Sequence, residues 1–278
     1  MPKITVTTLL EMKKSGEKIS ALTAYDAPTA QILNETGIEI VLVGDSVGNV
    51  KLGYENTIPV TMEEMLHHTK AVKRGNSNAL LVADMPYLSY QLSIDEAKKN
   101  AGRLVKEGGA EAVKLEGGLE VANCIKALVE INIPVMGHLG LTPQAIHKIG
   151  GYKIQGKTES SQEKMITDAK VLEGAGVFAI VLECIPDALA KTITQKVSVP
   201  TIGIGAGPHC DGQILVIDDL LGLTVGPVPK FVKRLADLHK ETLKAVKKYR
   251  EEVKQKKYPE SSGSGSPLPG GLTAQKNP

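Results

Sequence analysis

The chain has 278 residues, 42% apolar and 23% charged, which fits one large soluble globular domain and excludes global disorder or a fibrous repeat. Its 33 Lys and Arg against 31 Asp and Glu leave a formal net charge of +2, so there is no strong field for nucleic acid or an anionic membrane. With 3% aromatics, no Trp and three Cys, it lacks a stacking platform for bases, a disulfide framework and a zinc site, and no apolar run approaches the ~20 residues that span a bilayer.

The N-terminal stretch MPKITVTTLLEMKKSGEK has no apolar signal core, so a cytoplasmic chain beginning with a short helix is expected. A first strand is predicted over 19–26. A unit then repeats loosely: a helix-like segment ends at Gly, a short β-branched run follows, and the run closes on an acid. The four instances run from Gly37 to Asp45, Gly75 to Asp84, Gly108 to Glu116 and Gly174 to Glu183. Glycine ends a helix well because the left-handed cap costs it no Cβ clash. The runs are too short for helices and read as buried parallel strands.

Strands predicted at 39–46, 79–85, 112–117, 134–139, 178–184, 200–204 and 214–218 complete a set of eight. Thr61-x-x-Glu64, Ser93-x-x-Glu96 and Ser160-x-x-Glu163 fit capping boxes, each opening an amphipathic helix between strands. Eight strands alternating with helices over ~250 residues predict a (β/α)8 TIM barrel, an α/β fold. A doubly wound open sheet is the structural alternative. Residues 1–257 are expected to form one barrel domain, with an N-terminal helix and a C-terminal helical extension over 231–257. The Gly/Ser/Pro-rich tail 258–278 is expected to be disordered. Two connections, 47–60 and 141–157, are long and fall on the face at the strand C-termini, where barrel sites are built. The second is expected to cover the site.

Alternation along the strands selects what can meet there. Lys114 and Glu116 share a face with Ala112 and point into the mouth. The same phase is assigned to Asp45 with Val43, Asp84 with Val82, His138 with Met136 and Glu183 with Val181. A single acid at a strand end is commonly a helix N-cap, and a lone histidine there is commonly a scaffold residue. Four acids around one lysine differ, because their mutual repulsion raises pKa values and costs stability. A divalent cation relieves that cost, and Asp and Glu oxygens suit Mg²⁺ better than Zn²⁺. A metal holding a 2-oxo acid would acidify the neighbouring C–H, a free carboxylate such as Glu183 could take the proton, and Lys114 could neutralise the developing charge.

Other features are weaker. GIGAG at 203–207 reads equally as a phosphate cradle or a tight turn, and it is not a dinucleotide fingerprint. Cys184 reads as an inert thiol, His67 and His68 as surface or packing residues, and Met62 and Met65 as core filler.

At these residues the chain resembles the ketopantoate hydroxymethyltransferase family, also called 3-methyl-2-oxobutanoate hydroxymethyltransferases. The likeness runs over about 4–258 and rests on LTAYDAPTA, VGDSVGNVKLGYENTIPVT, HHTKAVKRG, LLVADMPY, VKLEGG, GHLGLTPQ, GGYKIQGK, VLECIP, GIGAG and CDGQILVIDDLLG. The resemblance implies a (β/α)8 barrel that uses Mg²⁺ and 5,10-methylenetetrahydrofolate to convert 3-methyl-2-oxobutanoate into 2-dehydropantoate for pantothenate synthesis. It implies Asp45 and Asp84 as Mg²⁺ ligands, with Glu116 in the metal site. It further implies Asp45, Ser46, Asp84 and Lys114 as contacts of the 2-oxo acid, His138 as a pocket residue and Glu183 as the general base. It implies a homo-oligomer as well, a decamer in bacterial members. The alternatives are a Mg²⁺-dependent carbon–carbon lyase or mutase of the phosphoenolpyruvate type, whose KxCGH segment this chain lacks, and a non-catalytic barrel scaffold.

Overall fold

The short apolar runs fold as parallel strands, Ile19–Thr23 (β1), Ile40–Val43 (β2), Leu80–Asp84 (β3), Ala112–Glu116 (β4), Val135–Gly140 (β5), Ala179–Glu183 (β6), Thr201–Ile204 (β7) and Gly212–Leu215 (β8). They pair in chain order and close, β8 returning to β1 with Ile19 opposite Gly212. The structure is a computed structural model that describes residues 2–226 and 228–259. The tail expected to be disordered therefore lies, from residue 260 onward, outside the described residues.

Alternation divides the strands between two cores. Ile40, Leu42, Leu80, Val82, Met136 and Val181 fill the barrel interior. Val41, Val43, Leu81, Ala83, Leu115 and Leu182 face outward into the layer beneath the helices. Helices Ala27–Thr36 (α2), Met62–Gly75 (α4), Ile94–Lys106 (α5), Ala122–Glu130 (α6), Glu159–Gly174 (α8) and Asp187–Lys196 (α9) supply the other side of that layer through residues such as Leu33, Val72, Leu104, Leu128, Leu172 and Ile193. The N-terminal helix Val6–Ser15 (α1) has a different task. Its Leu9 and Met12 join the interior cluster and plug the barrel.

The caps match the expected chemistry in part. Thr61 and Glu64 make both bonds of the box at α4, and the Ser93 side chain accepts from Glu96 N–H at α5. The third box is displaced. α8 is capped by Thr158 with Ser161, two residues before the expected Ser160 and Glu163, because Thr158 holds the extended backbone that a cap needs. The eighth strand also begins two residues earlier than 214, since Gly212 already pairs with Ile19 and Ile202. After it the chain turns at once into the short helix Ile217–Leu221 (α10), tied down by Ile217 N–H donating to Thr23 Oγ1 at 3.0 Å.

The charged helix spans Leu238–Lys254 (α11) rather than 231–257. Its start is set by Asp237, which caps Lys240 N–H, while Leu235 N–H donates to Leu220 O and holds the preceding segment along α10. None of its residues is buried. GIGAG resolves as a packed turn. A Cβ on Gly205, at φ 61°, would sit 2.6 Å from the Phe231 ring, so the turn both needs glycine's backbone freedom and packs against that ring.

Candidate active site

Register brings the predicted groups together. Asp84 lies opposite Lys114, and Glu116 opposite His138, on adjacent parallel strands with side chains turned inward. Lys114 Nζ is 3.0 Å from Asp84 Oδ1 and 3.2 Å from His138 Nδ1. The imidazole stands between two carboxylates, with Nδ1 3.4 Å from Glu116 Oε1 and Nε2 3.2 Å from Glu183 Oε2. The second contact is off the line of a good hydrogen bond. Asp84, Lys114, Glu116 and His138 are buried, whereas the Glu183 side chain keeps 16% of its surface open to the mouth.

Asp45 reaches the same volume by another route than the phase assigned to it. Val43 belongs to the outer layer, so continued alternation would send Asp45 outward among the helices. The strand stops at Val43, however, and Asp45 lies in the turn entering Val47–Val50 (α3). That turn places Asp45 N–H 3.0 Å from Asp84 Oδ2. Ser46 follows and shares a 2.8 Å hydrogen bond with the buried Tyr25 hydroxyl.

Residues outside the predicted set complete the site. Gln144 comes from the long connection after β5, just before the short helix Ile146–Ile149 (α7). Its Nε2 donates to Asp45 Oδ2 at 2.9 Å and to Met85 O at 3.0 Å, and its backbone N–H donates to Glu116 Oε2 at 3.0 Å. The Tyr90 hydroxyl is 2.8 Å from Gln144 Oε1 and accepts from Glu116 N–H at 3.2 Å. On the β1–β8 side Lys51 Nζ meets the buried Asp218 at 2.7 Å and lies 5.8 Å from the Tyr25 ring centre. The connection 141–157 thus reaches the mouth as expected. Farther along it, burial and then the charges of Glu183, Asp45 and Glu116 push the Tyr152 hydroxyl up.

Crowding sets the electrostatics. Burial, then the charges of Asp84 and Glu116, hold the Asp45 carboxyl well above the usual range. Burial also raises Asp84, although Lys114 and the Asp45 N–H oppose it. Lys114 is pulled down by burial, but Asp84, Glu116 and Asp45 outweigh that and raise it. Burial and Lys114 likewise lower His138, yet its two carboxylate neighbours prevail and hold it at about 9. Cys184, in a left-handed turn at φ 48°, is pushed up to about 12 by burial and the Glu183 charge, so its thiol stays protonated and unreactive. His68 packs, its Nδ1 2.7 Å from Tyr25 O, and Met65 is buried in the core.

The donor set fits a hard divalent cation. Asp84 Oδ1 is buried with the Lys114 ammonium as its one charged neighbour, and burial first, then nearby carboxylates, raise the pKa values of Asp45 and Asp84. Among the described residues no three His, Cys, Asp or Glu side chains close into a cage. Two carboxylates, Asp45 and Asp84, are what Mg²⁺ commonly takes from a protein, water and substrate oxygens supplying the rest. Glu116 is engaged by Gln144 N–H and faces His138, which suits an outer position.

Residues 3–261 match the family model described as ketopantoate hydroxymethyltransferase. Among curated relatives, the 3-methyl-2-oxobutanoate hydroxymethyltransferase of Thermoanaerobacter sp. (strain X514) is 58% identical over 94% of this chain and 96% of its own length. That of Carboxydothermus hydrogenoformans is 55% identical over 97% and 98%, and that of Geobacter metallireducens 56% over 95% and 99%. Among solved structures, phosphonopyruvate hydrolase in complex with oxalate and Mg²⁺ superposes with a TM-score of 0.62 at 13% identity, covering 96% of this chain and 93% of that one. A 2,3-dimethylmalate lyase of the PEP mutase/isocitrate lyase superfamily gives 0.60 at 15% identity, over 96% and 93%. At such identity the likeness is one of fold.

Proposed function

The chain belongs to the ketopantoate hydroxymethyltransferase family, an enzyme that transfers a hydroxymethyl group, and on that premise we propose how its residues carry the reaction. The acceptor is 3-methyl-2-oxobutanoate, the product 2-dehydropantoate and the donor 5,10-methylenetetrahydrofolate. In balance, the acceptor's C3–H is exchanged for a C–C bond to the donor's one-carbon unit. Both C–N bonds of that unit break: the new C–C bond replaces one and the hydroxyl of water the other, and the C3 proton and the remaining proton of water end on the two nitrogens of the departing tetrahydrofolate.

Mg²⁺ held by Asp45 and Asp84, with Glu116 behind them, would polarise the ketone and so acidify the C3–H bond. Glu183 takes the C3 proton. Of the four strand-end acids it is the one with its carboxylate open to the mouth, beside His138 at 3.2 Å. Lys114, buried and cationic, offsets the negative charge that develops on the substrate oxygens. Ser46 helps orient the acid, held by Tyr25 at 2.8 Å. His138 lines the pocket between the base and Glu116.

The observation that carries this reading is the buried Asp84–Lys114 pair at 3.0 Å, with Asp45 and Glu183 converging on the same mouth. Replacing Glu183 by Gln is expected to slow C3–H exchange into heavy water by about a hundredfold or more, with keto-acid binding spared. Exchange at the native rate would remove Glu183 from the role. Asp84→Ala is expected to weaken Mg²⁺ binding in calorimetry, and an unchanged affinity contradicts the ligand assignment.

The lyase or mutase alternative reduces to a relation of fold. A non-catalytic scaffold is disfavoured by the intact Asp45, Asp84 and Glu183 set. We place the protein in the cytoplasm as a homo-oligomer, decameric by family resemblance; what supports association is α11, whose Leu243, Val246, Tyr249 and Val253 stay exposed. Among the described residues no helix is long and apolar enough to cross a membrane.

A further inference from the structure

We propose that the cavity beside Glu116 and Gln144 seats the reduced folate, with Tyr87 against its ring system and Lys148 meeting its glutamate carboxylates. This rests on the donor named above.

The cavity measures about 330 Å³ and is walled by Ile58, Tyr87, Tyr90, Gln144, His147 and Lys148, with Glu116 and Glu120 on the strand side. That volume lies within the range of small-molecule sites. Its position is the first argument. Glu116 and Gln144 belong to both this cavity and the carboxylate cluster, so a donor seated here presents its one-carbon unit next to the acceptor.

Its chemistry is the second. A folate is a flat bicycle joined to an aryl ring and an anionic tail. The chain has only 7 Tyr, 2 Phe and no Trp, yet two of those Tyr line this one cavity. Tyr87 is 39% exposed, and the next residue, Leu88, is held at φ 65°, a strained conformation for a branched side chain. The turn is pinned by Ser89 N–H donating to Pro86 O at 3.0 Å and by Asn100 Nδ2 donating to Ser89 O at 2.7 Å. An aromatic ring is thus held at the rim, where a planar ligand can stack on it. Glu120 offers an acceptor to the amino-pyrimidine N–H groups. At the outer edge Lys148 is exposed on α7 and has no ion-pair partner among the described residues. A tail with several glutamates would supply one.

The test compares 5,10-methylenetetrahydrofolate carrying one and four glutamates in the full-length enzyme and in Tyr87→Ala and Lys148→Glu. The unmodified enzyme is expected to show the lower KM with the tetraglutamate. Tyr87→Ala should raise both folate KM values about tenfold, and Tyr87→Phe should restore them. Lys148→Glu should abolish the preference for the longer tail. Keto-acid KM and C3–H exchange report whether each variant is folded with its acceptor site intact. Unaltered folate KM values and tail preference in both variants overturn this assignment alone. No transfer from either folate by the unmodified enzyme overturns the donor reading, and the assignment with it.

Discussion

Gln144 binds Asp45, Met85 O and Glu116 at once, and so ties the loop after β5 to strands β3 and β4 and to the turn after β2. Truncation to Ala takes the amide N–H away from the buried Met85 O and Asp45 Oδ2, which costs about 1–3 kcal/mol. A lower thermal midpoint together with a raised keto-acid KM is the expected outcome for Gln144→Ala; a change in neither would mean that water replaces the amide without loss. Nothing in the local pattern marks this residue, because a glutamine after proline in a loop is ordinary. Its one signal is that it ends the GHLGLTPQ segment. Asp45 shows the opposite case. Its place in the site was legible, but the strand phase behind it was not, since the swing that aims it inward happens after the strand has ended.

At the scale of elements, the ends of β5 and β6 constrain each other. Gly140 stands at φ 96° opposite Glu183, and a Cβ there would lie 2.1 Å from Glu183 O. Leu141 N–H donates to that same oxygen at 2.8 Å. Gly140→Ala therefore must both strain the backbone and push the strand that carries Glu183, the proposed base, at a cost above ~1 kcal/mol. The expected result is a lower thermal midpoint together with a loss of C3–H exchange, read by calorimetry and proton NMR. The strands themselves were legible from short β-branched runs after helix-ending glycines, and the Thr61–Glu64 box from its spacing. The box at α8 was misplaced because Thr158, Ser160 and Ser161 all have hydroxyls able to cap. Only the extended backbone at Thr158 selects among them.

For the whole molecule, the two ends of the barrel divide labour. The mouth gathers the carboxylates and Lys114 of the proposed site, while α1 plugs the interior with Leu9, which has no exposed surface. Leu9→Ala is expected to lower stability by about 2–5 kcal/mol and leave kcat at 25 °C within twofold, checked by denaturant unfolding and steady-state rates. Closure itself was foreseeable from eight alternating units. The early start of β8 and the free-standing α11 were not, because they depend on where Gly212 meets its two neighbours and on what Leu220 holds in place. Residue type and period are local quantities. They determined the strand count, the acids at the strand ends and the lysine among them. Hydrogen bonds between segments 26 and 99 residues apart are not local, so only the folded chain decided that Tyr90 reaches Glu116, that Gln144 reaches Asp45 and that a cavity opens beside them.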